Sequence, residues 1–278
     1  MGELKRNEEM LAQVQVRAKV QILVSVLGLL HVLAVFPRLA FALDQKEVEG
    51  VVRTLDDRQR NSGDYKALCF IEQKERGKND LVYQAVFYRR DEDDKLMILF
   101  LKPRSEAGKG YLRLDKNLFM YDPTVGKWER RTERERIMGT DSRRADFDES
   151  RLAEEYDAKL LGEESLGKFK TYHLKLTAKA GVDVAYPTLE LWVDQPTNNL
   201  LKRQEFALSN RLMRTTYYPK WKKLYSESKK GEVYYPEEIR IFDEVEKGNN
   251  TTVVISKVDL QPLSANLFTK AWLESKSR

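Results

Sequence analysis

The chain is poor in the residues from which most active sites are assembled. It has 278 residues but only one cysteine and two histidines. Beyond residue 42 these reduce to Cys69 and His173. A zinc site of Cys and His is therefore excluded, as is a disulfide within the chain. Cys69 sits in an apolar strand and reads as core, not as a reactive thiol. Charge of one sign is also scarce. Five of the 49 Lys/Arg and three of the 44 Asp/Glu precede residue 43, which leaves a net charge of +3 on the rest. That is a mixed surface without the footprint of a nucleic-acid binder. No Gly/Ser/Pro linker divides residues 43–278, no internal repeat stands out, and no helical crossover separates the apolar stretches. Without crossovers, successive strands pair antiparallel.

The longest uncharged run is Val20 to Phe36 (VQILVSVLGLLHVLAVF), behind Arg17 and Lys19. Pro37-Arg38 ends it, and the small residues of Ala40-Phe41-Ala42 fit a signal-peptidase site with the cut after Ala42. The polar segment before the run is long, and Met10 offers a later start. The competing reading is an uncleaved anchor. Gln21, Ser25 and His31 within a run of near-minimal spanning length favour cleavage. The expectation is a signal peptide over 1–42, a single domain over 43–278, and export to the periplasm, where one unpaired thiol suits an oxidising compartment.

Residues 44–60 predict a helix. Asp44 and Glu47 form a capping-box pattern, Val48, Val51, Val52 and Leu55 recur at helical spacing, and Asn61-Ser62-Gly63 breaks the pattern. Its single apolar stripe must lie on something, either an ordinary core or a cavity that it partly plugs. Strands are predicted at Tyr65–Glu72, Leu81–Arg90 and Lys95–Lys102, the last apolar on both faces. Lys109–Thr132 (KGYLRLDKNLFMYDPTVGKWERRT) then reads as three short strands joined by turns at Asp115-Lys116-Asn117 and Asp122-Pro123-Thr124. Arg130–Arg136 is a charged edge. Asp141–Tyr156 interrupts the series as a loop with a short helix, and is the candidate lid. Asp146 and Asp148 could pair as catalytic carboxylates, but on a charged loop they read as solvated surface. Further strands are predicted at Lys159–Glu163, Lys168–Lys179, Thr188–Asp194, Leu200–Leu208, Arg211–Tyr218, Val233–Val245 and Thr251–Leu260. In Lys168–Lys179 parity puts His173 on the solvent face. A short helix with Leu267, Phe268, Trp272 and Leu273 to bury follows Pro262. Strands at this spacing signal a sandwich or barrel.

Leu114-Asp115-Lys116-Asn117-Leu118-Phe119-Met120-Tyr121-Asp122-Pro123 resembles the "DGK-(T/N)-L-W-x-Y-(D/N)-P" stretch of periplasmic lipoprotein carriers of the LolA type. Val86-Phe87-Tyr88-Arg89-Arg90 stands where those carriers have "LWVKRP". Ile137-Met138-Gly139-Thr140-Asp141, Glu190-Leu191-Trp192-Val193-Asp194 and Leu200-Leu201-Lys202-Arg203 are similar to the larger branch of outer-membrane lipoprotein-sorting proteins. The resemblance implies a mainly β fold: a curved, incompletely closed antiparallel β-barrel of about 11–12 strands, with helices covering its concave face. It implies a non-enzymatic carrier without cofactor or metal. Its guest would be lipoprotein acyl chains or phospholipid, loaded by an inner-membrane ABC or RND-type transporter and passed to an outer-membrane acceptor. The cavity wall would be Leu99, Leu112, Leu114, Leu118, Met120, Leu174, Leu176, Leu189 and Leu191. Arg90, with Arg89 as fallback, would latch a lid that includes Asp141, Asp146, Phe147 and Asp148. The aromatic Phe119, Tyr121 and Trp128 fit either face. A sensor of lipids or lipoproteins on the same fold is the alternative function. An ordinary sandwich core accounts for the same alternation without any guest.

Overall fold

The computed structural model describes residues 43–278 apart from 61–62, 116, 133–134, 144–145, 147–149 and 278. The proposed signal peptide, and Phe147 and Asp148 of the candidate lid, lie outside the described residues.

Helix α1 (Gln45–Arg60) opens the chain. The capping box forms as its sequence predicts: Glu47 N–H donates to Asp44 Oδ1 at 2.8 Å, and Asp44 N–H donates to Glu47 Oε2 at 2.8 Å. Strands β1 (Asp64–Lys74), β2 (Leu81–Arg90), β3 (Lys95–Lys102), β4 (Gly110–Leu114), β5 (Asn117–Asp122) and β6 (Lys127–Arg131) follow. A 3-10 turn at Ile137–Gly139 and the short helix α2 (Leu152–Glu155) interrupt the series. The chain then returns to strands β7 (Tyr156–Leu166), β8 (Phe169–Ala178), β9 (Thr188–Asp194), β10 (Leu200–Phe206), β11 (Leu212–Ser226), β12 (Gly231–Asp243) and β13 (Asn250–Asp259). Helix α3 (Lys270–Lys276) ends it.

All thirteen strands join one sheet in the order β6-β5-β4-β3-β2-β1-β13-β12-β11-β10-β9-β8-β7. Each neighbouring pair is antiparallel, and β6 and β7 are edges that do not pair with each other. The sheet is curved and open, as the resemblance implies, with thirteen strands among the described residues where about 11–12 were expected. Its centre is the contact of the first strand with the last, β1 with β13, where Ile71 faces Val253 and Cys69 faces Ile255.

Strand parity sorts the side chains onto two faces. Following the register across the sheet, Leu176–Leu189–Glu205–Arg214–Asp243 lie side by side on one face. So do Ile241–Thr251–Gln73, Cys69–Ala85–Phe100 and Ile98–Tyr111–Met120. This is the inner face, which carries α1 and the segment 136–143. The outer face carries α3. There Leu273, fully buried, and Phe268 pack on Met97, Leu99 and Leu112, with Leu114, Tyr121 and Trp128 around them. The strand is kept close to this helix by Gly110: a Cβ there would stand 2.8 Å from Leu273 Cδ1 and 2.6 Å from the Ile98 carbonyl oxygen. The helices therefore divide between the faces, with α1 and α2 inside and α3 outside, instead of all covering the concave side.

β11 runs far beyond the strand end expected at Tyr218. It passes Pro219 through an irregular register and pairs with β12 out to Ser226↔Gly231. Proline removes a ladder donor, so a bulge is where a strand tolerates it. Past that bulge the two strands form a ribbon that extends beyond β10 and β13. The ion pairs Lys220–Glu238, Lys222–Glu237 and Lys223–Glu232 bridge it.

Candidate functional site

The inner face holds two apolar patches separated by a polar seam. The first lies under α1. Val48, Val51, Val52 and Leu55 make one stripe at helical spacing and bury it on Leu174, Leu176, Leu189, Leu191 and Val193 of β8 and β9. Those sheet residues are all fully buried. α1 is tethered at few points. Gln45 Nε2 donates to the Ala158 carbonyl at 3.1 Å, and Arg58 bonds Asn199 and the Thr197 carbonyl while covering the Tyr234 ring at 4.5 Å. Asp56, on the same helix, receives Ser150 Oγ at 2.5 Å, Leu152 N–H at 2.8 Å and Ala153 N–H at 2.9 Å, and so caps α2. A cavity of about 190 Å³ runs along the helix flank, with Gln45, Glu49, Arg53, Tyr156, Asp157 and Lys179 in its wall. It is smaller than the roughly 300–1,000 Å³ of ordinary ligand pockets, and polar groups line much of it. Directly beneath α1 the space is filled by the helix's own side chains.

The second patch comprises Ala67, Cys69 and Ile71 of β1, Tyr83, Ala85 and Phe87 of β2, Ile98 and Phe100 of β3, Tyr111 and Leu118. Ile137 of the 3-10 turn plugs it. Met138 adopts φ 50° and Gly139 φ 73°, a left-handed pair that reverses the chain. Tyr83 Oη donates to the Met138 carbonyl at 3.3 Å, and Met138 N–H donates to Tyr111 Oη at 3.0 Å. Burial pushes the Cys69 thiol up to about 12, which keeps it protonated and inert, as its apolar surroundings led us to expect.

The seam between the patches is ionic. Arg214, 5% exposed, donates from Nε and from Nη2 (3.0 Å) to Glu205, itself 1% exposed. The same guanidinium donates from Nη1 to Asp146 Oδ2 at 2.7 Å and from Nη2 to Asp146 Oδ1 at 2.5 Å. Its Nη1 also reaches the Asp141 carbonyl at 3.3 Å. One arginine thus grips two carboxylates bidentately, one from the sheet and one from the cover segment. Burial opposes its charge, but Asp146 and Glu205 outweigh that and hold Arg214 well above the usual arginine value. Burial likewise opposes ionisation of Asp146, yet Arg214 holds its carboxyl below the usual range. Arg203 adds a second guanidinium, 2.9 Å from Glu205 Oε1, while its Nε has no hydrogen-bond partner among the described residues. Tyr186 places its ring within 6.0 Å of Arg214 and 5.6 Å of Arg143. Its buried hydroxyl is also without a partner among the described residues.

The cover segment is anchored across the seam by Asp141. Thr251 Oγ1 receives Asp141 N–H at 2.9 Å and donates to Asp141 Oδ2 at 3.0 Å. Arg136 Nη1 lies 3.3 Å from Asp141 Oδ1 without hydrogen-bond geometry, and Arg136 Nη2 bonds Asp243 at 2.7 Å. Burial raises the Asp141 carboxyl above its usual value, and Thr251 and Arg136 only partly offset it.

The residues expected to form one wall divide between the faces. Leu118, Met120, Leu174, Leu176, Leu189 and Leu191 are on the inner face, in two separate patches. Leu99, Leu112 and Leu114 are on the outer face under α3, with Tyr121 and Trp128. β3 is apolar on both faces, so alternation alone could not assign it. The expected latch residues bond other partners. Arg90 is committed to Asp93 (2.9 and 2.6 Å), to the Leu263 carbonyl (3.4 Å) and to the Phe268 ring, and Arg89 pairs with Asp91 at 2.6 Å. Both sit at the turn between β2 and β3, whereas Arg214 is what grips Asp146. His173 lies on the outer face as parity requires, but it is not solvated. It stacks on Trp192 at 4.1 Å, with Glu164 at 2.7 Å and Glu190 at 3.0 Å from its two ring nitrogens. Sequence reasoning missed Arg203, Glu205 and Arg214. A signal was available for two of them: Arg203 and Glu205 occupy inward parity positions on β10 opposite Leu191 and Leu189 of β9, whereas Arg214 lies between Glu205 and Asp243.

Among solved structures, a DUF1329 family protein from Desulfovibrio piger superposes with a TM-score of 0.71 at 20% identity, covering 82% of this chain and 98% of its own. A LolA superfamily protein from Nitrosomonas europaea gives 0.66 at 20% identity, covering 83% and 100%. An outer membrane lipoprotein-sorting protein domain from Vibrio parahaemolyticus gives 0.70 at 17% identity, covering 83% and 100%. No curated protein matches by sequence. At these identities the likeness establishes the fold alone, which is LolA-like. A family model described as "-like: Uncharacterized protein" matches residues 92–275, about two thirds of the chain, and the chain belongs to that family.

Proposed function

We propose that this protein is a periplasmic carrier that holds the acyl chains of a lipoprotein or another lipid on its inner face. It would take them from an inner-membrane ABC or RND-type transporter and release them to an outer-membrane acceptor. The observation that carries this reading is the seat of α1: a helix with one apolar stripe, tied at few points, lying on a fully buried leucine patch. The names of the similar Nitrosomonas and Vibrio structures, LolA superfamily and lipoprotein sorting, support the same class.

The energetics suit exchange. Each methylene moved out of water is worth about 0.8 kcal/mol, so a sixteen-carbon chain gains on the order of 12 kcal/mol when covered. The four apolar side chains of α1 gain roughly 6–12 kcal/mol from the same surface. Helix and a single acyl chain are therefore near-equal competitors, and modest polar contacts can decide which occupies the sheet. In the closed form α1 and Ile137 fill both patches. Loading requires α1 or the cover segment to lift, with Asp146–Arg214 and the Asp56 cap as the latches. No step in this cycle requires a nucleophile or a metal, and the reading is of a binding protein without catalytic activity.

The test is mass spectrometry of lipids that co-purify with the exported protein, together with displacement of a fluorescent acyl probe. Co-purified acyl lipid and saturable displacement are expected. Absence of both would overturn the carrier reading.

A further inference from the structure

A carrier of plain hydrocarbon would be better served by an apolar inner face throughout. Buried ion pairs replaced by packed apolar groups are often neutral or stabilising, so the seam needs a reason to be ionic. Its composition supplies one. In the closed form Arg203 and Arg214 are balanced by Glu205 from the sheet and Asp146 from the cover segment. Glu205 is fixed on β10. Asp146 belongs to the part that must move for a guest to enter. When it leaves, two guanidiniums face one carboxylate between the two apolar patches, and the bidentate fork on Arg214 is exposed. Two further donors are already idle there: Arg203 Nε and the Tyr186 hydroxyl have no partner among the described residues, and Tyr186 is 7% exposed. Fork, idle donors and one missing negative charge describe a receptor for a singly charged oxyanion.

We propose that the guest is an amphiphile with one anionic head, phosphate or carboxylate, and that this head takes the place of Asp146 on Arg214 while its acyl chains replace α1. Asp146 is then a stand-in that keeps the site satisfied between cargoes. This rests on the lipid-binding reading and narrows it to a class of lipid. A triacylated lipoprotein whose lipid part is uncharged would leave the fork empty.

The experiment uses the full-length protein and an uncharged fluorescent acyl ester as probe. Competitors come in pairs that differ only at the head: oleate with methyl oleate, and dioleoyl phosphatidic acid or phosphatidylglycerol with dioleoylglycerol. The charged member of at least one pair should displace the probe at about tenfold lower concentration. Preference in the oleate pair identifies a fatty-acid carboxylate, and preference in the second pair a phospholipid phosphate. Asp146→Asn loosens the latch for every guest but removes a competing carboxylate only for the anion, so it should strengthen the preferred anion severalfold more than its uncharged partner. Arg203→Gln, which leaves both Arg214 forks in place, should weaken the anion alone. Equal displacement within both pairs, or equal strengthening of both members by Asp146→Asn, would overturn the anionic-head proposal while leaving lipid binding intact. Failure of every competitor and of the probe itself would remove the carrier reading, and this proposal with it.

Discussion

Asp141 and Asp146 hold the same cover segment but titrate in opposite senses. Asp146, paired with Arg214, has its carboxyl depressed, so its contribution is fully present above the unfolded value of about 4 and is lost as the pH falls through the lower folded value. Asp141 is raised by burial, so protonation favours the folded form, and its contribution improves as the pH falls through its folded value towards about 4. Urea unfolding followed from pH 7 down to about pH 4 should show wild type gaining stability on acidification relative to Asp141→Asn, which lacks that titration. A difference between the two proteins that stays constant over the whole range would contradict this. Asp56 is a second latch whose removal can be measured. Asp56→Ala leaves the Leu152 and Ala153 N–H groups without their acceptor and should cost about 1–3 kcal/mol. Hydrogen exchange should show the loss concentrated in α1 and α2, with the sheet amides little changed. None of these pairings was legible in the sequence, because each joins groups about a hundred residues apart or separated by whole strands. A capping box separated by three residues, Asp44 with Glu47, was fully legible.

Helix α1 was readable almost to its last residue, because capping and periodicity are local signals. What it covers was not, because that depends on which strands the register brings beneath it. Leu55→Ala should weaken docking by about 2–4 kcal/mol, since Leu55 is buried against the sheet. If the helix competes with a guest, the same substitution should strengthen acyl-probe binding. If α1 is merely part of a packed core, stability will fall and probe binding will not rise. Strands β2, β3 and β9 were legible because clear turns bound them. The extension of β11 past Pro219 was not, since proline and a run of lysines look like an ending until partner glutamates on β12 are known. The expected latch residue is engaged with the C-terminal segment. Arg90 ties the β2–β3 turn to Leu263 and Phe268, so Arg90→Leu should raise hydrogen exchange over 263–276 and leave lipid retention unchanged.

One sheet of thirteen strands does the work of a barrel without closing the ring. A closed barrel has its bore set by strand number and shear, and cannot widen without breaking ladder bonds. This sheet has edges at β6 and β7, and its two apolar patches lie on opposite sides of the ionic seam on β10 and β11. A small change in twist at each ladder, spread over many neighbours, would open or tighten the trough with every backbone bond intact. Girth then becomes an adjustable quantity: on the carrier reading proposed above, one scaffold would admit slim or bulky passengers by flexing like a cuff, and the charged clasp would be left to choose among them.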